Sequence, residues 1–187
     1  MFIRLAKKED ASALVEIYRP YVENTAVTFE YETPSVLEFE KRMESIQKKY
    51  PYLVCEIDNE IVGYAYANTF KARAAYDWTV EVTIYLKQDC KGKGIGTKLY
   101  QRLEEILKLM GFTNMCACIT YTDIEDAYLQ NQSMHFHKKY GFTLVGQFHN
   151  CGYKFNRWYH MIWMEKMLGE HPMEPKEVIP IEKLMSG

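Results

Sequence analysis

A chain of 187 residues, 48% of them hydrophobic, is long enough for one domain with its own core. Its formal net charge of -2 supplies no basic field of the kind that holds nucleic acid non-specifically, and no stretch is apolar for long enough to span a bilayer. Five cysteines without C-x-x-C spacing argue against a disulfide framework or a zinc knuckle, and Met1 to Lys8 turns polar too soon for a signal peptide, so a cytoplasmic protein with reduced thiols and no metal is expected.

Phe2 to Leu5 reads as a short strand, and Asp10 is placed to cap a helix whose apolar face is Leu14, Ile17, Tyr18 and Tyr21. Ser35-Val36-Leu37-Glu38 has the form of a capping box, with Val36, Phe39, Met43 and Ile46 as the stripe behind it. Leu53 to Ile57 and Ile61 to Phe70 are strand-like, joined by a tight Asp58-Asn59 turn. Thr79 to Leu86 is a third such run. After the glycine-rich turn Gly92 to Gly96 comes an amphipathic helix with Leu99, Leu103, Ile106, Leu107 and Met110 on one side and Gly111 as its stop. Met115 to Tyr121 is a strand, Asn131 to Tyr140 a helix closed by Gly141, and Phe142 to Phe148 with Trp158 to Met167 a final strand pair. This order predicts one mixed α/β sheet flanked by helices over residues 1–168. From Gly169 onward Pro172, Pro175 and Pro180 break any regular element, so 169–187 is read as a tail on the surface or on a partner.

The segment Lys91-Gly92-Lys93-Gly94-Ile95-Gly96-Thr97 lies between a strand and a helix start. Glycine lets backbone approach a ligand closely, and the free N–H groups and dipole of a helix N-terminus favour an anion such as pyrophosphate. Lys91, Lys93 and Lys98 add positive charge. The G-K-[ST] of a Walker loop is missing, as is the third glycine of the dinucleotide fingerprint.

At these residues the chain resembles the GNAT acetyltransferases, whose pyrophosphate motif is [QR]-x-x-G-x-[GA]. Gly94 and Gly96 match it, and Lys91 stands at the Gln/Arg position. Lys71-Ala72-Arg73-Ala74-Ala75-Tyr76-Asp77-Trp78-Thr79-Val80-Glu81-Val82-Thr83-Ile84-Tyr85 is similar to the K-A-R-x-A-Y-D-W-T-x-E-x-T-x-Y run of the phosphinothricin N-acetyltransferase family, and Gly152-Tyr153-Lys154-Phe155 to its G-[FY]-K segment. The resemblance covers about Ile3 to Met167, with a longer segment from Tyr121 to Gln130. It implies the GNAT fold and acetyl-CoA as co-substrate, held by Lys91 to Thr97 (Lys91, Gly92, Lys93, Gly94, Ile95, Gly96, Thr97), by the backbone of Tyr85, Leu86 and Lys87, and by Asn131. It also implies a small amino-acid-like amine as acceptor and a homodimer.

An amine attacks only when neutral, so the chemistry needs a proton acceptor. On the Thr79 to Leu86 strand Glu81, Thr83 and Tyr85 share one face and Val80, Val82 and Ile84 the other. Alternation alone allows Glu81 simply to face solvent, and the resemblance makes it the base. His137 stands where the family carries a His, as acid or second proton acceptor; His135 points about 200° around the helix, away from it. Lys71 and Arg73 offer a clamp for an acidic group, with Phe29, Tyr76 and Trp78 as aromatic walls. Cys90 reads as an inert thiol, which leaves direct transfer in a ternary complex. The alternatives are acetylation of protein N-termini or other amines, and a non-catalytic acetyl-CoA sensor.

Overall fold

The structure, a computed structural model, describes residues 1–185. Its elements run β1 (Phe2–Leu5), α1 (Ala11–Asn24), α2 (Val36–Gln47), β2 (Tyr52–Ile57), β3 (Glu60–Thr69), β4 (Thr79–Leu86), α3 (Ile95–Met110), β5 (Asn114–Tyr121), α4 (Gln132–Lys139), β6 (Thr143–Lys154), β7 (Arg157–Met167) and α5 (Ile181–Met185). The seven strands form one sheet in the order β1-β2-β3-β4-β5-β7-β6, the mixed α/β architecture that the element order predicts. Every neighbouring pair is antiparallel except β4 and β5. The β2–β3 hairpin turns through Asp58 and Asn59, both with positive φ (51° and 65°), as a two-residue turn matched to strand twist requires.

Helical spacing puts Leu99, Leu103, Ile106, Leu107 and Met110 on the buried side of α3, in one core with Leu53, Ala65, Val80, Val82, Met115 and Ala117. Leu14, Ile17, Tyr18 and Tyr21 of α1, with Phe39 and Met43 of α2, form a second core with Tyr52, Val54 and Tyr64. The two sets of strand residues alternate, so the sheet is covered on both faces. Each buried aliphatic side chain contributes about 1.5–3 kcal/mol by leaving water. Among the described residues no helix is long and apolar enough to cross a membrane.

Four local expectations need correction. Asp10 does not cap α1: its carboxylate accepts from the Lys7 N–H at 2.7 Å and from the Arg4 guanidinium at 2.7 and 2.9 Å, closing the turn before the helix. Ser35 makes its half of the capping box, accepting from Glu38 N–H at 3.2 Å, but Glu38 reaches forward to Arg42. The strand expected to end at Phe148 continues to Lys154 and turns through Phe155 and Asn156, both with positive φ. A register shift between Phe148 and Gly152, with Asn150 at positive φ, absorbs the extra residues.

The tail is the fourth. It lies on the surface, as one of the two expected placements had it, and against expectation it contains a short helix. Trp78 Nε1 donates to Lys176 O at 2.7 Å, Ile179 N–H to Met110 O at 2.9 Å and Ile181 N–H to Lys49 O at 3.2 Å. Ile181 is buried in the α3 core. Pro180 opens α5, its carbonyl accepting from Lys183 and Leu184, because proline's missing N–H costs nothing at a helix start. Replacing Ile181 with Ala is expected to lower unfolding stability by about 2 kcal/mol, read from the urea midpoint; no change would mean the tail is not docked in solution.

Candidate active site

β4 and β5 pair over three positions only: Thr79 with Asn114, Val80 with Met115 and Glu81 with Cys116. Beyond Glu81 the strands part. β4 continues to Leu86 paired with β3, and β5 to Tyr121 paired with β7. The result is a V-shaped cleft with unpaired strand edges facing each other and Glu81 at its apex.

Glu81 is half-buried, and burial pushes its carboxyl pKa above the ordinary range while the nearby Lys71 ammonium pulls it back. Lys71 Nζ sits 5.2 Å from the Phe70 ring centre and 5.3 Å from that of Trp163. The Cys116 thiol is pushed up to about 11, chiefly by burial, and that of Cys118, an exposed residue, is raised in the same direction, so both stay neutral. The Cys90 thiol is also raised by burial. None of the three is a ready nucleophile. Next to Glu81's strand neighbour Asn68, α2 and the sheet border an open groove of about 530 Å³, with Tyr18, Tyr64, Tyr66 and Tyr85 on its floor and Glu30 and Arg42 among its other lining residues.

The glycine turn lies between the end of β4 and α3. Gly92 and Gly94 have φ of 76° and 79°, and the space where their Cβ atoms would stand is open. Gly94 is the N-cap of α3, and no side chain caps that helix. The first-turn N–H groups of a long helix thus meet an open backbone surface, an arrangement suited to an anion. Gly96 is small for another reason: a Cβ there would stand 3.2 Å from the Phe136 ring. Lys91 Nζ lies 4.8 Å from the Tyr21 ring centre.

Over residues 3–163 the chain matches the acetyltransferase (GNAT) domain family. It belongs to the GNAT acetyltransferases. A phosphinothricin N-acetyltransferase of Streptomyces viridochromogenes is 32% identical over 97% of this chain and 95% of its own. An L-methionine sulfoximine/L-methionine sulfone acetyltransferase of Salmonella typhimurium is 31% identical over 91% and 96%. The solved structure of a GNAT superfamily phosphinothricin acetyltransferase from Sinorhizobium meliloti in complex with AcCoA aligns with a TM-score of 0.86 at 35% identity, covering 96% of this chain and 95% of that one.

Several expected site residues of this acetyltransferase sit together and several do not. Glu81 and Lys71 share the apex, and Phe29 packs over Gly152, where a Cβ would meet the ring at 2.1 Å. Arg73 and Tyr76 stand exposed in the turn before β4, Tyr76 edge-on to Phe70. Trp78 is no pocket wall, since its indole is turned to the tail. The Tyr85 ring packs on Tyr18 and Tyr21, each 4.9 Å away, and Leu86 O accepts from the Tyr21 hydroxyl at 2.6 Å. Lys87 offers no free amide, because its N–H donates to Val62 O at 2.9 Å and its ammonium pairs with Glu60. Asn131, in a left-handed conformation at φ 49°, spends its side-chain amide on the backbone of Thr122 and does not present it to a cofactor.

His137 is the largest correction. Its inward direction on α4, opposite the exposed His135, is as the helical period predicts, but what it meets is core. It is 3% exposed among Tyr100, Phe136 and Phe142. Nδ1 lies 2.7 Å from Ser133 O, a carbonyl, so Nδ1 carries the proton and Nε2 accepts from the Tyr100 hydroxyl at 2.9 Å. Both nitrogens are spent, so His137 as placed is neither acid nor base to a substrate. Sequence reasoning gave no site role to Tyr21, Asp126, Arg157 and Lys154, whose contacts with Leu86, Tyr159, Asp126 and Val22 join parts of the chain distant in sequence.

Burial lowers the His137 pKa to about 4, against the Ser133 contact, while the unfolded chain titrates at its ordinary value. The native state thus binds fewer protons, and the stability this gives is present above that ordinary value and lost as pH falls through it towards 4. We expect His137→Gln to remove about 2 kcal/mol of the stability difference between about pH 7 and pH 5, measured by denaturant titration at both; an unchanged difference would mean His137 is exposed.

Proposed function

We propose that this enzyme transfers the acetyl group of acetyl-CoA directly to the primary amine of a small amino-acid-like acceptor. The observation that carries the reading is Glu81, a desolvated carboxylate at the point where β4 and β5 part. The unpaired edges of the V suit the pantetheine amides, which would pair there as an added strand. The turn at Gly92 to Gly96 and the start of α3 suit the pyrophosphate, with Lys91, Lys93, Ile95 and Thr97 beside it.

In this reading Glu81 takes a proton from the acceptor's ammonium, through a water or directly. The neutral nitrogen attacks the thioester carbonyl, the new C–N bond forms, and the C–S bond breaks with the coenzyme thiolate leaving. A backbone N–H on the cleft edge of β4 would face the oxyanion, that of Leu86 already donating to the Tyr21 hydroxyl at 3.4 Å. Lys71 and Arg73 supply positive charge for the acceptor's acidic group, and Phe29 and Tyr76 border it. The names of the S. viridochromogenes and S. typhimurium relatives support an acceptor of the phosphinothricin, methionine sulfone or methionine sulfoximine kind. Exposed Leu144, Val145 and Phe148 along the edge strand β6 support a homodimer, and five unpaired cysteines a reducing cytoplasm.

The exposed turn at Arg73 and Tyr76 also admits a longer amine, so a peptide N-terminus belongs in the test. Coenzyme A release is measured with L-amino acids, phosphinothricin, methionine sulfone, methionine sulfoximine and a short peptide. Turnover of an amino-acid analogue supports the proposal. Turnover of the peptide alone moves the acceptor class, and tight acetyl-CoA binding without any turnover favours a sensor. Glu81→Gln should lower kcat/KM about 100-fold or more near neutral pH. In the wild type kcat/KM should fall as pH drops through the raised Glu81 pKa, and this acid limb should vanish in the variant. Full activity of Glu81→Gln would remove Glu81 as the base.

A further inference from the structure

Lys154 is 3% exposed, at the end of β6. Its ammonium donates to three carbonyls, Val22 O at 2.7 Å, Thr25 O at 2.9 Å and Thr28 O at 2.9 Å, so each of its three protons has a partner. A buried ammonium is costly unless every proton is bound, so these bonds hold one another in place. Val22 lies in the last turn of α1, where the helix leaves unpaired carbonyls and the negative end of its dipole.

Beyond Thr28 the chain enters the segment expected to border the acceptor. Residues 25–35 contain no helix or strand, and an irregular segment fluctuates unless it is tied down. Outer ties come from Tyr18, whose hydroxyl lies 2.7 Å from Thr28 Oγ1, from Thr120, which donates to Val27 O at 3.2 Å, and from the Arg42–Glu30 ion pair; the rest come from consecutive residues of β6 and its turn. Gly152 leaves room for the Phe29 ring, Tyr153 O accepts from the Tyr31 hydroxyl, and Lys154 binds the carbonyls before them. Phe155 stacks on Tyr128 at 4.1 Å, and Tyr128 O accepts from Ala26 N–H.

We propose that Lys154 is a positioning residue: its ammonium latches the 25–31 segment so that Phe29 stands at the acceptor side of the Glu81 cleft. It touches neither acceptor nor cofactor, and it acts on acceptor affinity through Phe29. This rests on the acceptor site proposed above.

The test uses Lys154→Met, which keeps an unbranched apolar stem as far as the Cε position and removes the ammonium, and Gly152→Ala, which displaces Phe29 by a separate contact. For each we expect the acceptor KM to rise about tenfold or more, with kcat and the acetyl-CoA Kd within about twofold of wild type. Backbone amide exchange should quicken about tenfold or more within residues 25–31 and stay unchanged in α3. An unchanged acceptor KM, unchanged exchange in 25–31, or a joint loss of kcat, acetyl-CoA affinity and protection across the sheet would overturn the proposal, the last by reducing Lys154 to a general stability residue. If the wild type acetylates no amine offered, the acceptor reading has failed, and exchange alone decides the latch: quickening confined to 25–31 supports it, no change overturns it. Should Lys154→Met not fold, the same readings on Gly152→Ala decide.

Discussion

The parting of β4 and β5 after Glu81 and Cys116 organises the rest of the molecule. Two parallel strands that stop pairing give up ladder hydrogen bonds along Val82–Leu86 and Ala117–Tyr121, and buried backbone groups left unpaired are costly. Pairing with β3 from Val80 to Leu86 and with β7 holds the other edge of each strand, while the groups on the cleft edges stay open. The Tyr21 hydroxyl satisfies Leu86 O at the open end. What remains is a strip of backbone able to accept another extended, amide-bearing chain, with the glycine turn and α3 N-terminus where that chain's anionic end would lie.

The electrostatics around the apex are sparse for a physical reason. Glu81 is pushed towards its neutral form by burial, and the groups packed near it add little charge. Cys116 and Cys118 stay as thiols, and Lys71 is drawn over the Phe70 and Trp163 rings. A carboxylate in such surroundings has the raised basicity that proton abstraction from an ammonium needs, and little competing chemistry beside it.

Around this apex, segments without regular structure are tied to the strands beside them. Asp126 accepts from Arg157 at 2.5 Å, from the Tyr159 hydroxyl at 2.9 Å and from the Tyr128 and Leu129 N–H groups at 2.8 and 2.7 Å, which fixes the long segment after β5 onto the start of β7. Lys154 does the same for the segment after α1. Both hubs are charged groups with most of their hydrogen-bonding capacity used internally, and such hubs hold one arrangement of loops because any other leaves a charge short of partners.

Much of the fold was legible in the chain because period and turn chemistry are local. The spacing of Leu99, Leu103, Ile106, Leu107 and Met110 marks the buried side of α3, the alternation through Thr79 to Leu86 sets Glu81 opposite Val80 and Val82, and Asp58-Asn59 marks the β2–β3 turn. The glycine turn was legible for the same reason. What the sequence could not decide was which partner each inward group meets. Helical period pointed His137 inward, and only packing placed Tyr100 and Ser133 O against it, making it a core histidine. Gly152 and Lys154 were visible as a motif, yet their partners Phe29, Val22, Thr25 and Thr28 lie more than 100 residues away in the chain. Local rules set faces and turns, whereas hydrogen-bond partners across such separations exist only once the sheet has brought the ends of α1, β5 and β6 together.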